Sequence, residues 1–114
     1  MFDDVTSLAL HSALNGLSMR QSIIANNISN MDTPGFRAGR VDFENELQSA
    51  LSNGTSPAVT GVVSKSLDPT GLNGNNVNLD TETLSNVETG LRYQLAIRAT
   101  DDQFGLLRSA MRSA

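Results

Sequence analysis

One spacing constrains this chain more than any other feature. Leu10, Leu14, Leu17, Gln21, Ile24, Ile28 and Met31 follow each other at alternating four- and three-residue steps. Such a stripe stays on one side of an α-helix and matches the seam of a coiled coil. Only Gln21 interrupts it. The pattern predicts a helix from about Asp4 to about Met31. Asp3 or Asp4 is placed to cap its start, where negative charge meets the positive end of the helix dipole, and Phe2 to staple the first turn. At about 100° per residue, Leu8, Met19 and Ile23 fall nearly opposite the stripe, so one packing partner cannot cover both faces.

A second helix is expected from Asp80 almost to Ala114, with Asp80 or Thr81 as cap and Glu82 in the first turn. Its apolar pattern changes sides partway along. Leu84, Val87, Leu91 and Leu95 form one face, whereas Tyr93, Ile97, Thr100, Phe104, Leu107 and Met111 form another. A helix with two offset apolar faces is expected to meet different neighbours at its two ends. Arg98, Asp101, Asp102, Arg108 and Arg112 mark the side left for water or salt bridges.

Between these helices, Asp42 is expected to cap a short helix in which Phe43, Leu47, Ala50 and Leu51 share a side. From Ser52 to Asn78 the chain is rich in Gly, Asn, Ser, Thr and Pro, and "SNGTSP" and "DPTGLNGNN" are turn and loop chemistry. Only Ala58 to Val63 has the composition of a short strand, and Gly61 weakens it. The expected fold class is therefore mainly α. Two long terminal helices flank an extended, locally mobile insert that holds one short helix and at most a short β segment. The boundaries are 1–36 for the first helix and its turn, 37–79 for the insert and 80–114 for the second helix.

Composition bears on whether such a chain can fold alone. The 114 residues are one domain's worth, but only 39% are hydrophobic, 4% are aromatic and none is Trp. That is thin core material, so something beyond the chain is expected to complete the core. A net charge of −4 argues against general nucleic-acid binding, which needs a basic surface. Cysteine is absent and His11 is the only histidine, so thiolate sites, two-histidine metal sites and triads with a partner histidine have no residues to use. His11 is expected to be structural or on the surface. "GLNGNN", Gly71 to Asn76, lacks the spacing and the Lys of a phosphate loop. Asp42, Glu44 and Glu46 are a paired-carboxylate candidate only in the weakest sense and read better as the charged first turn of the short helix. No catalytic residue, metal, cofactor or small-molecule substrate is expected. The start Met1-Phe2-Asp3-Asp4 lacks the basic region of a secretory signal, and no apolar run approaches the ~20 residues of a membrane span. A cytosolic protein is expected, or one exported without a cleavable signal.

The end of the first helix carries a denser signal. Asn26, Asn27 and Asn30 are weak helix formers placed where the apolar period still runs. Thr33-Pro34-Gly35-Phe36 then forms a turn signal, with Pro presetting the second position and Gly permitting positive φ at the third. Asn26 and Asn30 lie opposite the seam with Asn27 on the flank, so the amides are not expected to aim into it. They are expected instead to bond adjoining segments or neighbouring chains and to fix where the helix ends.

Asn26-Asn27-Ile28-Ser29-Asn30-Met31-Asp32-Thr33-Pro34-Gly35-Phe36-Arg37-Ala38 closely resembles the N-terminal signature of bacterial flagellar basal-body rod and hook proteins, with Ser29 in place of the usual Ala. "GNNVNLDTE" and "GLRYQLAIRATDDQFGLLRSAM" are similar to the C-terminal part of the short proximal-rod members, with Asn78 where Asp is commoner. The starting stretch "MFDDVTSLALHSALNGLSMRQSIIANNISN" is similar to the same members, and mainly the middle insert lies outside the match. The resemblance implies that the N- and C-terminal helices pair as a coiled-coil hairpin, and that the chain is a structural subunit of the proximal rod, part of a hollow drive shaft that transmits torque and surrounds the export channel. It implies Asn26, Asn27, Ile28, Asn30, Thr33, Pro34, Gly35 and Phe36 as the family motif. Leu10, Leu14, Leu17, Ile24, Ile28, Leu91, Tyr93, Ile97, Phe104, Leu107 and Met111 are expected to serve helix pairing and assembly. The implied partners are copies of the chain, other rod proteins, basal-body ring and export-gate components and the flagellar type III export apparatus. The implied place is the basal body within the cell envelope, reached by signal-less export. The alternatives are another short rod subunit, or a soluble helical-hairpin regulator or secretion chaperone.

Overall fold

The structure, a computed structural model, describes residues 2–53 and 62–113, with side chains described for 7–53, 63–103, 105, 108, 109 and 111. Two helices dominate it. Helix α1 spans Phe2–Ser29 and helix α3 spans Leu79–Ser113. Between them lie strand β1 (Gly39–Asp42), helix α2 (Glu44–Ser52) and strand β2 (Val62–Lys65). The molecule is long and thin, 66 × 26 × 14 Å.

The four-three stripe produces the helix it predicts, and α1 stops two residues before the expected Met31. The reason is visible in the hydrogen bonds. The Asn30 amide is shared between the Asn26 and Asn27 carbonyls at 3.2 and 3.1 Å, and the Met31 amide has already shifted to the Ile28 carbonyl. Such tightening ends a helix. The capping roles given to Asp3 and Asp4 and the staple given to Phe2 fall on side chains outside those described.

Helices α1 and α3 run antiparallel. Asn27 meets Glu82, and Leu17 lies in a cluster with Val41 and Phe43 against which Tyr93 and Ala96 pack. The buried apolar set among the described residues is small: Leu17, Ile24, Ala38, Val41 and Phe43. It occupies the place where α1, β1, the start of α2 and α3 converge. Arg20 holds that convergence together. Its Nη2 donates to the Val41 carbonyl at 2.6 Å and to Glu44 Oε2 at 2.9 Å, and its guanidinium lies 5.0 Å from the Phe43 ring centroid.

The insert departs from expectation in four ways. Asp42 does not cap α2: it ends β1, and Phe43 occupies the N-cap position with no side-chain hydrogen bond. Glu44 and Glu46 stand in the first turn, and Phe43 turns inward as a core residue instead. A second strand, β1, pairs antiparallel with β2, Val41 opposite Val63 and Arg40 opposite Ser64. Its alternating burial leaves Gly39 and Val41 inward, a period too short to register in sequence. Strand β2 begins at Val62, later than the stretch expected from Ala58, and 58–61 lie outside the described residues. Helix α3 is capped by Asn78, whose Oδ1 accepts from the Asp80 and Thr81 amides at 3.0 and 3.3 Å. Asp80 and Thr81 are thus inside the helix. Asn is as good a cap as Asp, which is why sequence alone placed the cap two or three residues late.

Candidate functional site

The Asn-rich end of α1 is the centre of a polar joint that ties both terminal helices to the insert. Asn27 is fully buried. Its Oδ1 accepts from the Gly39 amide at 2.8 Å, and its Nδ2 donates to the Gly39 carbonyl and to Glu82 Oε2, both at 3.1 Å. A single side-chain amide thus replaces a strand neighbour for Gly39 and reaches across to α3. Gly39 has no room for a side chain here, since a Cβ would stand 2.9 Å from Ile23 Cγ2.

Glu82 is 1% exposed. A buried carboxylate is costly unless it is paired and hydrogen-bonded. Arg40 supplies the pairing, with Nη1 donating to Glu82 Oε1 at 2.8 Å and to the Gly39 carbonyl at 3.0 Å. Its Nη2 lies 3.7 Å from Asp68 Oδ2. No buried side-chain nitrogen or oxygen among the described residues lacks a partner.

Two further asparagines close the joint from the other side. Asn75 Nδ2 donates to the Asn30 and Thr33 carbonyls, both at 2.8 Å, and so satisfies groups that the end of α1 leaves open. Asn76 Oδ1 accepts from the Ala38 amide at 2.7 Å, while its Nδ2 bridges the Ser66 and Asp68 carbonyls at 3.2 Å. The Thr33–Phe36 turn forms as the sequence predicts, with the Phe36 amide on the Thr33 carbonyl and Gly35 at φ 76°. Its Gly35 amide donates to the Asn73 carbonyl at 2.8 Å. The loop 66–78, expected to be mobile, is therefore pinned by its own side chains.

The expected motif residues separate into two groups. Asn27 points into the joint and bonds adjoining segments, Gly39 and Glu82. A helical wheel puts it on the flank, and β1 folds over that flank. Asn26 is exposed, and Asn30 Nδ2 bonds back to the Asn26 carbonyl at 2.8 Å. These two finish the helix locally. Sequence reasoning missed Asn75, Asn76, Arg40 and Glu82 as joint members; the pairing of Asn-rich stretches at both ends of the insert was the available signal.

Among the expected pairing residues, Leu17 and Ile24 are buried and Tyr93 borders the core. Leu10, Leu14 and Ile28 are half-buried. Leu91, Ile97 and Met111 are exposed in the single chain, and the side chains of Phe104 and Leu107 lie outside those described. His11 is exposed. No group of three or more metal-ligating side chains gathers among the described residues, and no described helix is long and apolar enough to cross a membrane.

The joint's N-terminal half coincides with a known family. A family model described as "Flagella basal body rod protein" matches residues 8–37. The chain is 31% identical over 107 residues to the flagellar basal body rod protein FlgB of Borreliella burgdorferi, covering 75% of this chain and 79% of the relative. It is 31% identical over 113 residues to FlgB of Salmonella typhimurium, covering 80% and 81%. To FlgB of Bacillus subtilis it is 26% identical over 115 residues, covering 90% and 89%.

Proposed function

From its membership of the FlgB family of flagellar basal body rod proteins, we infer that the chain acts by presenting one rigid joint and two unequal helix faces to its neighbours in the rod. It is a structural protein of the flagellar basal body and not an enzyme. Under this reading it stands in the proximal rod, in contact with ring and export-gate components, and helps form the hollow shaft that carries torque around the export channel. Its three parts, 1–36, 37–79 and 80–114, divide the labour: the outer two form the helix pair in coiled-coil fashion, and the joint ties the insert to both.

One observation carries the assembly reading. Leu84, Val87, Leu91 and Leu95 line one side of α3, and each is more than half exposed in the single chain. A row of large apolar side chains at helical spacing is a surface built for burial. Leu10, Leu14, Leu17, Ile24 and Ile28 supply the pairing face of α1, and Tyr93, Ile97, Phe104, Leu107 and Met111 serve pairing and assembly on α3.

Leu91→Asp tests this. Leu91 is 63% exposed, so the chain should keep its helix content, whereas a carboxylate forced into a desolvated interface costs several kcal/mol. Incorporation into basal bodies and swimming are expected to be lost. Normal swimming would show that Leu91 faces water in the assembled rod. A wild-type chain absent from basal bodies after detergent and salt washing would favour a soluble regulator or chaperone instead.

A further inference from the structure

Two leucines stand out in the loop 66–78. Leu67 is 90% exposed and Leu72 is fully exposed, yet the backbone that bears them is tied down at both ends. The Gly71 amide donates to the Asn75 carbonyl and the Gly74 amide to the Gly71 carbonyl. The Asp68 amide donates to Ser66 Oγ. A loop whose hydrogen bonds hold two apolar side chains in water has already met the ordering cost of a contact it does not make within its own chain.

The same molecule holds a fitting recess. A cleft of about 380 Å³ lies between the helices, walled by Leu10 and Ala13 of α1, Phe43 and Leu47 at α2, and Leu95 and Ala99 of α3. Its lining is almost wholly apolar. The loop cannot fill its own cleft. It is anchored at Asn30 and Thr33, whereas the cleft sits at Ala13, and at 1.5 Å per residue these places are about 25 Å apart along α1.

We propose that Leu67 and Leu72 of one copy dock into the cleft between α1, α2 and α3 of a second copy of this chain, a head-to-tail contact with an axial offset of about 25 Å. This rests on the rod-assembly reading and names one contact within it. Charge sets the register: Asp68, beside Leu67, has a side chain 67% exposed and only a 3.7 Å contact to Arg40 among the described residues, and Arg92 at the cleft's rim is 58% exposed with a 3.8 Å contact to Glu44. Bringing Asp68 to Arg92 gives each a better-placed partner. Because the contact uses different surfaces on the two copies, it propagates and does not close as a dimer.

The natural chain has no cysteine, so cross-links report only introduced pairs. Basal bodies carrying the double variant Leu72→Cys, Ala99→Cys are oxidised and examined by non-reducing electrophoresis. Dimers and higher multimers of the chain are expected, with neither single variant giving them; an intrachain bond is out of reach at this separation. Monomer alone, dimers from Leu72→Cys alone, or a cross-link to a protein of different mass overturns the proposal. In that case, presence of the chain in washed basal bodies still upholds the rod reading. A second measurement does not depend on assembly in the cell. Sedimentation of the purified full chain should show self-association weakened about a hundredfold by Leu67→Ser with Leu72→Ser, from the loss of two buried leucines. Circular dichroism should be unchanged, because both side chains are free of the fold. Equal association by variant and wild type overturns the proposal as well.

Discussion

Replacing Asn27 by Ala sets two accounts of the same residue against each other. Asparagine in a helix is about 0.6 kcal/mol worse than alanine, so on propensity alone Asn27→Ala should stabilise α1. The structure says the opposite. The substitution removes two hydrogen bonds to Gly39 and one to the Glu82 carboxylate. Neutral bonds contribute about 1 kcal/mol each and a bond to a charged group about 2, giving a loss of about 4. Subtracting the propensity gain leaves about 3 kcal/mol, or roughly a hundredfold in the opening equilibrium of the joint. The readout is hydrogen exchange at the Ser66 amide, which bonds the Ala38 carbonyl and does not touch Asn27. Its protection should fall about a hundredfold. If it stays the same or rises, Asn27 is only a weak helix former and the joint does not depend on it.

Three further outcomes follow from the same geometry. Gly16→Ala should destabilise by about 1–3 kcal/mol despite alanine's better propensity, because a Cβ there meets the Phe43 ring at 2.6 Å; Gly90→Ala, in open space, should instead gain about 1 kcal/mol. Opposite shifts in thermal midpoint are the check, and shifts of the same sign would contradict the packing of Phe43 on α1. Gly35→Val should cost about 1–3 kcal/mol through positive φ alone, since nothing lies within 4 Å of its Cβ position; urea titration measures it, and an unchanged midpoint counts against the strain. Arg40→Met should cost about 3 kcal/mol, the low end for breaking a buried pair because Arg40 itself is one-third exposed. An unaltered urea midpoint would mean that water reaches Glu82.

The long helices were legible because their signal is long. The four-three stripe of α1 repeats often enough to outweigh Gln21, and α3 is one continuous helix over Leu79–Ser113. The turn at Pro34 and Gly35 was legible because two residues with narrow conformational ranges stand side by side. What sequence did not convey depends on pairing across distance. Gly39–Asp42 contains a Gly and two charged residues and has little strand character alone; β2, Asn27 and Asn76 make it a strand. Asn75 and Asn76 read as loop residues because asparagine is equally at home in a mobile loop and in a buried bridge. Only the carbonyls within reach decide between the two. The burial of Glu82 was hidden for a related reason: an acidic residue in a helix's first turn already has a sufficient local explanation in the dipole.

The bond between Asn27 and Glu82 also governs how the two long helices respond to force. Leucine contacts are non-directional, and a helix pair held by them alone can slip by one turn, about 5.4 Å, with little penalty. Slipping α3 past α1 by that amount would carry the buried Glu82 carboxylate away from both Asn27 and Arg40. The joint therefore acts as a shear pin. It adds little adhesive area, but it fixes the axial position of one helix against the other, so a twist applied at one end of the subunit reaches the other end as rotation and is not lost to sliding.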